Sequence, residues 1–193
     1  MSERRLKGEK MLKISGGILR GRYVKTVKGS KLRHTSSRVR LALFSILGSA
    51  VEGSEFLELF CGSGIISIEA LSRGASFATL VDVSRRSMKC AMENLRILDL
   101  TEKAEFLNMD FRRAVTYLEQ SGRKYDIIFA DPPYNKGYCE ILLDDLSEHI
   151  DILKPNALII LEHHRKESFR IPNVFTVHKS KNFGDTKLLI LKS

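Results

Sequence analysis

The sequence predicts an α/β protein built on a mainly parallel sheet. Apolar runs of strand length occur at residues 55–60, 77–83, 104–109, 125–130 and 157–163. Segments of about ten or more residues with helical periodicity separate these runs, and such alternation implies right-handed βαβ crossovers between parallel strands. Two further strands are predicted around 174–179 and 187–191 with no helix between them. They should form a hairpin that adds an antiparallel strand to the sheet.

The elements before the first central strand are of a different kind. Residues 11–36 interleave Ile, Leu, Tyr and Val with basic residues around Gly16-Gly17, which predicts a basic β-hairpin or arm. Residues 1–10 are highly charged and are predicted to be a disordered tail or an upstream extension. Ser and Thr caps precede an amphipathic helix at 37–49. The main domain is expected to span residues 37–193.

The remaining helices follow from periodicity and from capping residues. Ser84 and Asp110 are good N-cap residues immediately before two of them. The predicted helices after the first central strand lie at residues 64–74, 84–98, 110–120 and 138–150.

The charge of the chain is concentrated at its N-terminus. The net charge is +9; residues 1–40 contain 13 Lys or Arg and 2 Asp or Glu, whereas residues 41–193 contain 19 and 21. A basic arm on a nearly neutral body predicts a polyanionic partner, most simply a nucleic-acid backbone.

Composition excludes several classes of protein. A chain of 193 residues suits one good-sized core, and no run approaches the roughly 18 apolar residues that a membrane helix needs. The charged N-terminus predicts no secretory signal. Cys61, Cys90 and Cys139 are far apart, which argues against disulfides and against a zinc site and favours the cytoplasm. No metal is expected.

The loop after the first central strand predicts a nucleoside ligand. Gly62 and Gly64 allow a tight turn and close approach of the backbone, and Asp82 ends the next strand, where a carboxylate can bind both ribose hydroxyls. No complete pyrophosphate fingerprint or P-loop occurs. An adenosine ligand without phosphates fits best, which makes S-adenosylmethionine the predicted cofactor. Glu58 could accept a hydrogen bond from its ammonium group.

The fourth central strand ends in Asp131-Pro132-Pro133-Tyr134, which predicts the catalytic segment. Prolines lack N–H groups and fix φ, so the segment presents carbonyl oxygens and one carboxylate. Such acceptors suit an exocyclic amino group, because Asp131 and the Pro132 carbonyl could hold both N–H bonds and aim the lone pair at a methyl group. Tyr134 could stack on the base. A turn without chemical function is the alternative reading.

These motifs carry a resemblance to a known family. "ELFCGSG", "VDVS" and "DPPY" resemble nucleic-acid amino-methyltransferases that use S-adenosylmethionine. "ISGGILRGR", "LRHTSSRVRLALFSIL" and "FGDT" resemble, more specifically, the bacterial small-subunit (16S) ribosomal RNA guanine-N2 methyltransferases, from about Met11 to the C-terminus. The resemblance implies a Rossmann-like class I methyltransferase fold with a seven-stranded sheet whose last strand is antiparallel.

The resemblance also implies roles for individual residues. Thr35, Ser36 and Arg38 are expected near the methionine end of the cofactor. The RNA-facing residues are expected to be Arg20, Arg22, Arg33 and Arg40. The complete candidate cofactor set is Thr35, Arg38, Glu58, Phe60, Gly62, Ser63, Gly64, Asp82, Val83, Met109 and Asp110.

The expected function is methyl transfer to N2 of one guanine in small-subunit ribosomal RNA. The expected partner is that RNA, the small subunit or an assembly intermediate, and the protein is expected to be a monomer. Two alternatives remain at this stage: an adenine-N6 DNA methyltransferase, and a non-catalytic RNA-binding assembly factor that has kept the fold.

Overall fold

The computed structural model of the protein describes residues 11–27 and 36–193. The expectations for the tail at 1–10, for Arg33 and for Thr35 lie outside the described residues.

The described chain forms a small two-stranded sheet, a seven-stranded sheet and five α-helices. The strands are β1 (Met11–Lys13), β2 (Tyr23–Lys25), β3 (Glu55–Leu59), β4 (Phe77–Val81), β5 (Ala104–Leu107), β6 (Tyr125–Ala130), β7 (Leu153–His164), β8 (Thr176–Phe183) and β9 (Thr186–Lys192). The helices are α1 (Ser37–Leu47), α2 (Ile65–Ser72), α3 (Arg85–Ile97), α4 (Phe111–Gln120) and α5 (Tyr138–Glu148). Serine and aspartate N-caps begin α1, α3 and α4, because Ser36, Ser84 and Asp110 accept hydrogen bonds from backbone amides of the first turn.

The large sheet has the strand order β5-β4-β3-β6-β7-β9-β8. Neighbouring strands from β5 to β7 are parallel, and β9 is antiparallel to both β7 and β8. The predicted sheet, with its antiparallel last strand, is confirmed. The order reverses between β3 and β6, and in sheets of this kind the ligand cleft lies beyond the carboxyl ends of the strands at such a point.

The largest differences from the predicted strand boundaries are at the start of β7 and the end of β8. β7 begins at Leu153, earlier than the predicted 157, because Leu153 pairs with Tyr125 across an irregular register. β8 runs on to Phe183 and is exposed at nearly every position, so it lacks the apolar alternation that reveals a strand in a sequence.

Helices cover both faces of the sheet and bury two apolar layers. One layer packs α1, α2 and α3 against residues such as Phe56, Leu80 and Ile190, and the other packs α4 and α5 against residues such as Leu57 and Leu161. The central strands therefore read as continuous apolar runs, as is typical of parallel strands buried on both faces.

The predicted N-terminal hairpin exists and is fastened to α2. Ser15 donates two hydrogen bonds to the Glu69 carboxylate, from its N at 2.7 Å and from its Oγ at 2.8 Å. Ser72 Oγ donates to the Gly16 carbonyl at 2.7 Å. Gly17 has φ +74°, and a Cβ there would lie 1.8 Å from the Ser72 carbonyl oxygen, so only glycine allows this close approach.

Arg40 corrects one expectation of the sequence analysis. The family resemblance implied that this residue faces RNA, but its side chain is fully buried. Its Nε lies 3.4 Å from Glu69 Oε1, and its terminal nitrogen donates to the Lys13 carbonyl at 2.9 Å. Burial lowers the pKa of the Arg40 guanidinium, and the charge of Glu69 opposes that shift. Arg40 therefore joins the hairpin, α1 and α2 in the interior.

Within the described ranges, none of the helices has the length and apolar character that crossing a membrane requires.

Candidate functional site

Two loops leave the switch point of the sheet side by side. Leu59 at the end of β3 pairs with Ala130 at the end of β6, so Phe60 and Asp131 start their loops on adjacent strands. The loops enclose a cleft of about 450 Å³, within the usual size range of small-molecule sites. The cleft is lined by Val27, Glu58, Phe60, Cys61, Gly62, Ser63, Ile65, Ile66, Asp82, Val83, Ser84, Ser87, Phe129, Asp131, Pro132, Pro133 and Tyr134.

Asp82 holds the glycine loop in place. One of its carboxylate oxygens accepts a hydrogen bond from the Gly62 amide at 2.9 Å, and the other accepts from the Ser84 amide at 2.8 Å. Gly64 has φ +73°, and a Cβ there would lie 2.9 Å from Leu80 Cδ2. Gly64 thus permits close packing of the loop on β4, whereas Gly62 faces open space at the cleft.

Glu58 is a buried carboxyl group at the base of the cleft. It is 2% exposed, and its Oε2 accepts hydrogen bonds from both the amide and the hydroxyl of Ser67 in the first turn of α2. Burial raises the pKa of Glu58 to about 7, although the Ser67 hydrogen bonds act in the opposite direction. A carboxyl group in this state changes its charge near neutral pH.

Phe60 has an unusual backbone conformation at the start of the glycine loop. Its φ is +62°, which is rare for a bulky residue. Its ring packs against Phe111 and Tyr138, with centroids 5.2 and 5.9 Å away. This aromatic cluster stabilises a strained residue that also lines the cleft.

The opposite wall is the Asp131–Tyr134 segment. Pro132 is buried and Pro133 is exposed, while Asp131 and Tyr134 are partly exposed at the cleft. The Tyr134 hydroxyl donates to the buried Glu162 carboxylate at 3.3 Å and lies 3.5 Å from Thr186 Oγ1. The far end of the tyrosine is therefore anchored on β7 and β9, which fixes where the ring can lie.

Asn94 connects the N-terminal hairpin to the glycine loop. Its side-chain oxygen accepts from the Lys25 amide at 2.9 Å, and its side-chain nitrogen donates to the Lys25 carbonyl at 3.0 Å and the Ser63 carbonyl at 2.9 Å. Two residues beyond Lys25, Val27 lines the cleft. The segment that follows β2 thus reaches the same cleft as the glycine loop.

The structure brings together most of the residues that the sequence nominated for the site. Lining residues from the candidate cofactor and catalytic sets are Glu58, Phe60, Gly62, Ser63, Asp82, Val83, Asp131, Pro132, Pro133 and Tyr134. Their roles stay predictions, since lining a cleft does not identify its ligand.

Other candidates lie elsewhere. Gly64 packs behind the loop, Asp110 caps α4, and Met109 packs against the α4–α5 layer. Arg38 is exposed on the first turn of α1. None of these four is among the cleft-lining residues of the described chain. Of the arginines assigned to RNA, Arg20 and Arg22 are exposed on the hairpin.

Sequence reasoning missed several residues of the cleft. Ser84 and Ser87 follow Asp82 at the start of α3, and the serine of "VDVS" was a usable signal because it stands two residues after the carboxylate. Val27 gave no local signal, since only the tertiary fold brings it to the cleft. Cys61 also lines the cleft, but burial raises the pKa of its thiol well above the usual value, which disfavours the nucleophilic thiolate.

In residues 11–27 and 36–193, no cluster of three or more His, Cys, Asp or Glu side chains has an arrangement suited to a metal ion. His163 and His164 point to different surroundings: the His163 ring packs 4.9 Å from Phe169, and the His164 ring lies 6.1 Å from Tyr134.

Comparison with known proteins places this chain in a family. The family model described as "Conserved hypothetical protein 95" matches residues 12–192. Ribosomal RNA small subunit methyltransferase D of Buchnera aphidicola subsp. Acyrthosiphon pisum is 33% identical over 178 residues, covering 91% of this chain and 89% of that protein. The structure of yhhF from Escherichia coli has a TM-score of 0.81 and 31% identity, covering 95% of this chain and 98% of that one.

A more distant structure shares the fold. SMU.776, solved in complex with SAH, has a TM-score of 0.71 at 19% identity and covers all of this chain and 58% of its own. The match of the family model over nearly the whole chain, and the relative at 33% identity, decide the membership. The chain therefore belongs to the Conserved hypothetical protein 95 family, together with bacterial ribosomal RNA small subunit methyltransferases D.

Proposed function

We propose that the protein transfers a methyl group from S-adenosylmethionine to the exocyclic N2 of one guanine in small-subunit ribosomal RNA. The observation that carries the proposal is the shared cleft, in which a glycine loop with a fixed carboxylate faces an acceptor-rich wall at Asp131–Tyr134. The name of the Buchnera relative, ribosomal RNA small subunit methyltransferase D, supports the RNA substrate.

The glycine loop, with Asp82 and Glu58, forms the wall of the cleft that fits S-adenosylmethionine. Asp82 already binds two backbone amides, yet a carboxylate has about four lone-pair sites and can also accept from ribose hydroxyls. Glu58 lies at the base of the cleft, where its charged form would attract the ammonium group of the cofactor. When bound, the cofactor supplies an electrophilic methyl group on a sulfonium sulfur.

The acceptor wall fits an aromatic amine. The lone pair of an exocyclic nitrogen is delocalised into the ring, so the nitrogen is a weak nucleophile. The two N–H groups donate hydrogen bonds to the Asp131 carboxylate and the Pro132 carbonyl. This favours a more tetrahedral nitrogen with a localised lone pair. Tyr134 holds the plane of the base, and its own position is fixed through Glu162.

The remaining contribution is alignment. Adjacent strands fix the spacing of the two loops, and pre-alignment of two reactants can supply on the order of 7–11 kcal/mol. A strong base is unnecessary, because the nitrogen becomes acidic as it gains the methyl group and its proton can pass to Asp131 or to water. A base inside a duplex cannot enter such a cleft, so the target guanine must be unpaired or flipped.

The proposal is tested with purified protein, isotopically methyl-labelled S-adenosylmethionine and small-subunit ribosomal RNA lacking the modification. The RNA is presented free, in an assembly intermediate and in the complete subunit. We expect labelled N2-methylguanosine at one position, mapped by nuclease digestion and mass spectrometry. Label in N6-methyladenine of DNA, with none in ribosomal RNA, would favour the DNA enzyme. Cofactor binding absent from calorimetry would instead favour the non-catalytic assembly factor.

A further inference from the structure

The C-terminal part of the chain carries a second concentration of positive charge. Residues 163–193 contain seven Lys or Arg and two Asp or Glu, whereas residues 41–162 contain 12 and 19. The near-neutral balance of the main domain is therefore the sum of an acidic centre and a basic end. A charge that is segregated in this way creates a local positive potential.

Part of this charge is neutralised within the fold. Arg165 lies 3.4 Å from Asp185, and Arg170 lies 2.6 Å from Asp144. Lys179 and Lys181 differ, because neither forms an ion pair with the part of the chain that the structure describes. Both lie on the exposed edge strand β8, which contains no acidic residue.

These lysines lie on the face of the sheet that also contacts Tyr134 of the acceptor wall. Cross-strand partners share a face: Lys181 pairs with Leu188 and Phe183 pairs with Thr186. Thr186 is the residue 3.5 Å from the Tyr134 hydroxyl. Phe183 is partly buried beside this contact, and Lys181 Nζ lies 5.5 Å from the Phe183 ring centre. Phe183, Lys181 and Lys179 therefore follow one another on the face of β8 that begins beside the Tyr134–Thr186 contact.

The spacing of the lysines along β8 suits the extended backbone of a single-stranded nucleic acid. Alternate residues of a strand are about 6.6 Å apart on one face, so Lys181 and Lys179 follow each other in a line away from the cleft. Single-stranded nucleic acid is bound by positively charged grooves in combination with aromatic side chains. The β8 strand has both components: an aromatic side chain, Phe183, followed by two positive charges, Lys181 and Lys179.

We propose that the β8 edge, defined as Lys179, Lys181 and Phe183, is a second RNA-contact surface that binds the single-stranded backbone flanking the target base. This inference rests on the proposed function and adds a contact surface on the side of the cleft away from β4 and β5. The two lysines bind phosphates, and Phe183 packs on a flanking base or sugar. The N-terminal hairpin and the β8 edge then hold the RNA from two directions.

The test is the double variant K179Q/K181Q, with K103Q/K124Q as a matched control that removes the same charge. Lys103 and Lys124 are exposed just before β5 and β6, at the amino ends of the strands and hence at the edge opposite the cleft. Binding of small-subunit ribosomal RNA is measured over a series of salt concentrations. We expect K179Q/K181Q to bind at least about fivefold more weakly near 0.1 M salt and to lower the log–log salt slope by about 1.4, or about 0.7 per lost phosphate contact.

The control and a turnover measurement separate the possible outcomes. K103Q/K124Q should keep the affinity and slope of the unsubstituted protein, and K179Q/K181Q should raise KM for RNA with kcat and cofactor affinity unchanged. Equal affinity and slope in the two double variants would overturn the β8 proposal while leaving methyl transfer by the unsubstituted protein intact.

Edge-strand lysines also prevent association of sheets, so the mass of each variant is measured in solution. Self-association of K179Q/K181Q without any loss of RNA affinity would likewise count against RNA contact. Failure of the unsubstituted protein to bind or methylate ribosomal RNA would remove both this inference and the proposed function.

Discussion

On the glycine-loop side of the cleft, the candidate carboxylates accept hydrogen bonds from the chain itself: Asp82 accepts from Gly62 and Ser84, and Glu58 accepts from Ser67. On the acceptor side, the shape of the wall comes from two proline rings and from the anchored hydroxyl of Tyr134. Substitutions of Asp82 or Glu58 should therefore weaken cofactor binding and lower the stability of the fold together. Substitutions in the Asp131–Tyr134 segment should mainly change the rate of methyl transfer.

The largest effect is expected at the acceptor wall. Asp131→Asn keeps the shape but replaces one acceptor by a donor, so kcat should fall about 10²–10³-fold, the scale seen when one preorganised transition-state contact is lost. Calorimetry should show cofactor affinity within about twofold of the original. Asp151→Asn, at an exposed carboxylate just before β7, is the control and should leave both quantities unchanged. A large loss of cofactor affinity in Asp131→Asn would contradict the separation of the two walls.

The pH dependence of stability tests the buried member of the cofactor wall. Because burial raises the pKa of Glu58 to about 7, its carboxyl binds a proton more tightly when folded than when unfolded. Its contribution is therefore full below the unfolded pKa, roughly 4.3, and is lost as pH rises through 7. Relative to Glu58→Gln, the free energy of unfolding of the unsubstituted protein should fall by up to about 3 kcal/mol between pH 4 and pH 8.

Denaturant titrations of both proteins at several pH values measure this difference. A difference that does not change with pH would show that Glu58 has the same pKa in the folded and unfolded states, contrary to the raised pKa expected from its burial. Addition of the cofactor in a parallel series should reduce the difference at high pH, since its ammonium group stabilises the charged carboxylate.

The glycine loop gives the next effect. In Asp82→Asn, the side-chain oxygen can accept from one of the two backbone amides, but the NH₂ group faces the other amide. The lost hydrogen bond to a charged group contributes about 1.5–3 kcal/mol to stability. Cofactor affinity should fall roughly 10–50-fold, with a smaller change in kcat at saturation. Asp110→Asn is the informative control, because the sequence nominated Asp110 but the structure places it outside the cleft lining. An equal loss in both variants would extend the cofactor site to α4.

The smallest effect concerns the hairpin contact outside both walls. Gly17→Ala and Gly122→Ala both force alanine into positive φ, at +74° and +67°, but only the first meets a backbone oxygen at 1.8 Å. Gly122 has open space around its position. Gly17→Ala should therefore lose about 1–3 kcal/mol more stability than Gly122→Ala. Equal losses in thermal unfolding would mean that the hairpin does not pack tightly on α2.

Local signals predicted the sheet and both walls of the cleft. Apolar runs that end in glycine or Asp-Pro turns specify strand ends, and parallel strands bring those ends to one edge, so Gly62 and Asp131 could be placed together from sequence alone. The seven-stranded arrangement is confirmed, and its last strand is antiparallel as expected.

Other features depend on partners that are distant in sequence. Arg40 was expected to face RNA because of the family resemblance, but its burial depends on Glu69 and Lys13, which belong to other elements. Asn94 gave no signal because its role arises from Lys25 and Ser63, which no periodicity connects. The basic β8 edge was hidden because a charge count over residues 41–193 averages it with the acidic centre.

The Arg40–Glu69 pair has a consequence for the history of the molecule. Ser15 and the Lys13 carbonyl complete the hydrogen bonding of two charges that are sealed inside the protein. A chain that lost the hairpin would keep the ion pair but lose these hydrogen-bond partners, and a polar group left without its partner and away from water costs about 1–3 kcal/mol, and more when it is charged. The arm is thus not a portable module that recombination could exchange freely between enzymes; descendants must inherit or lose it along with the ion pair beneath it.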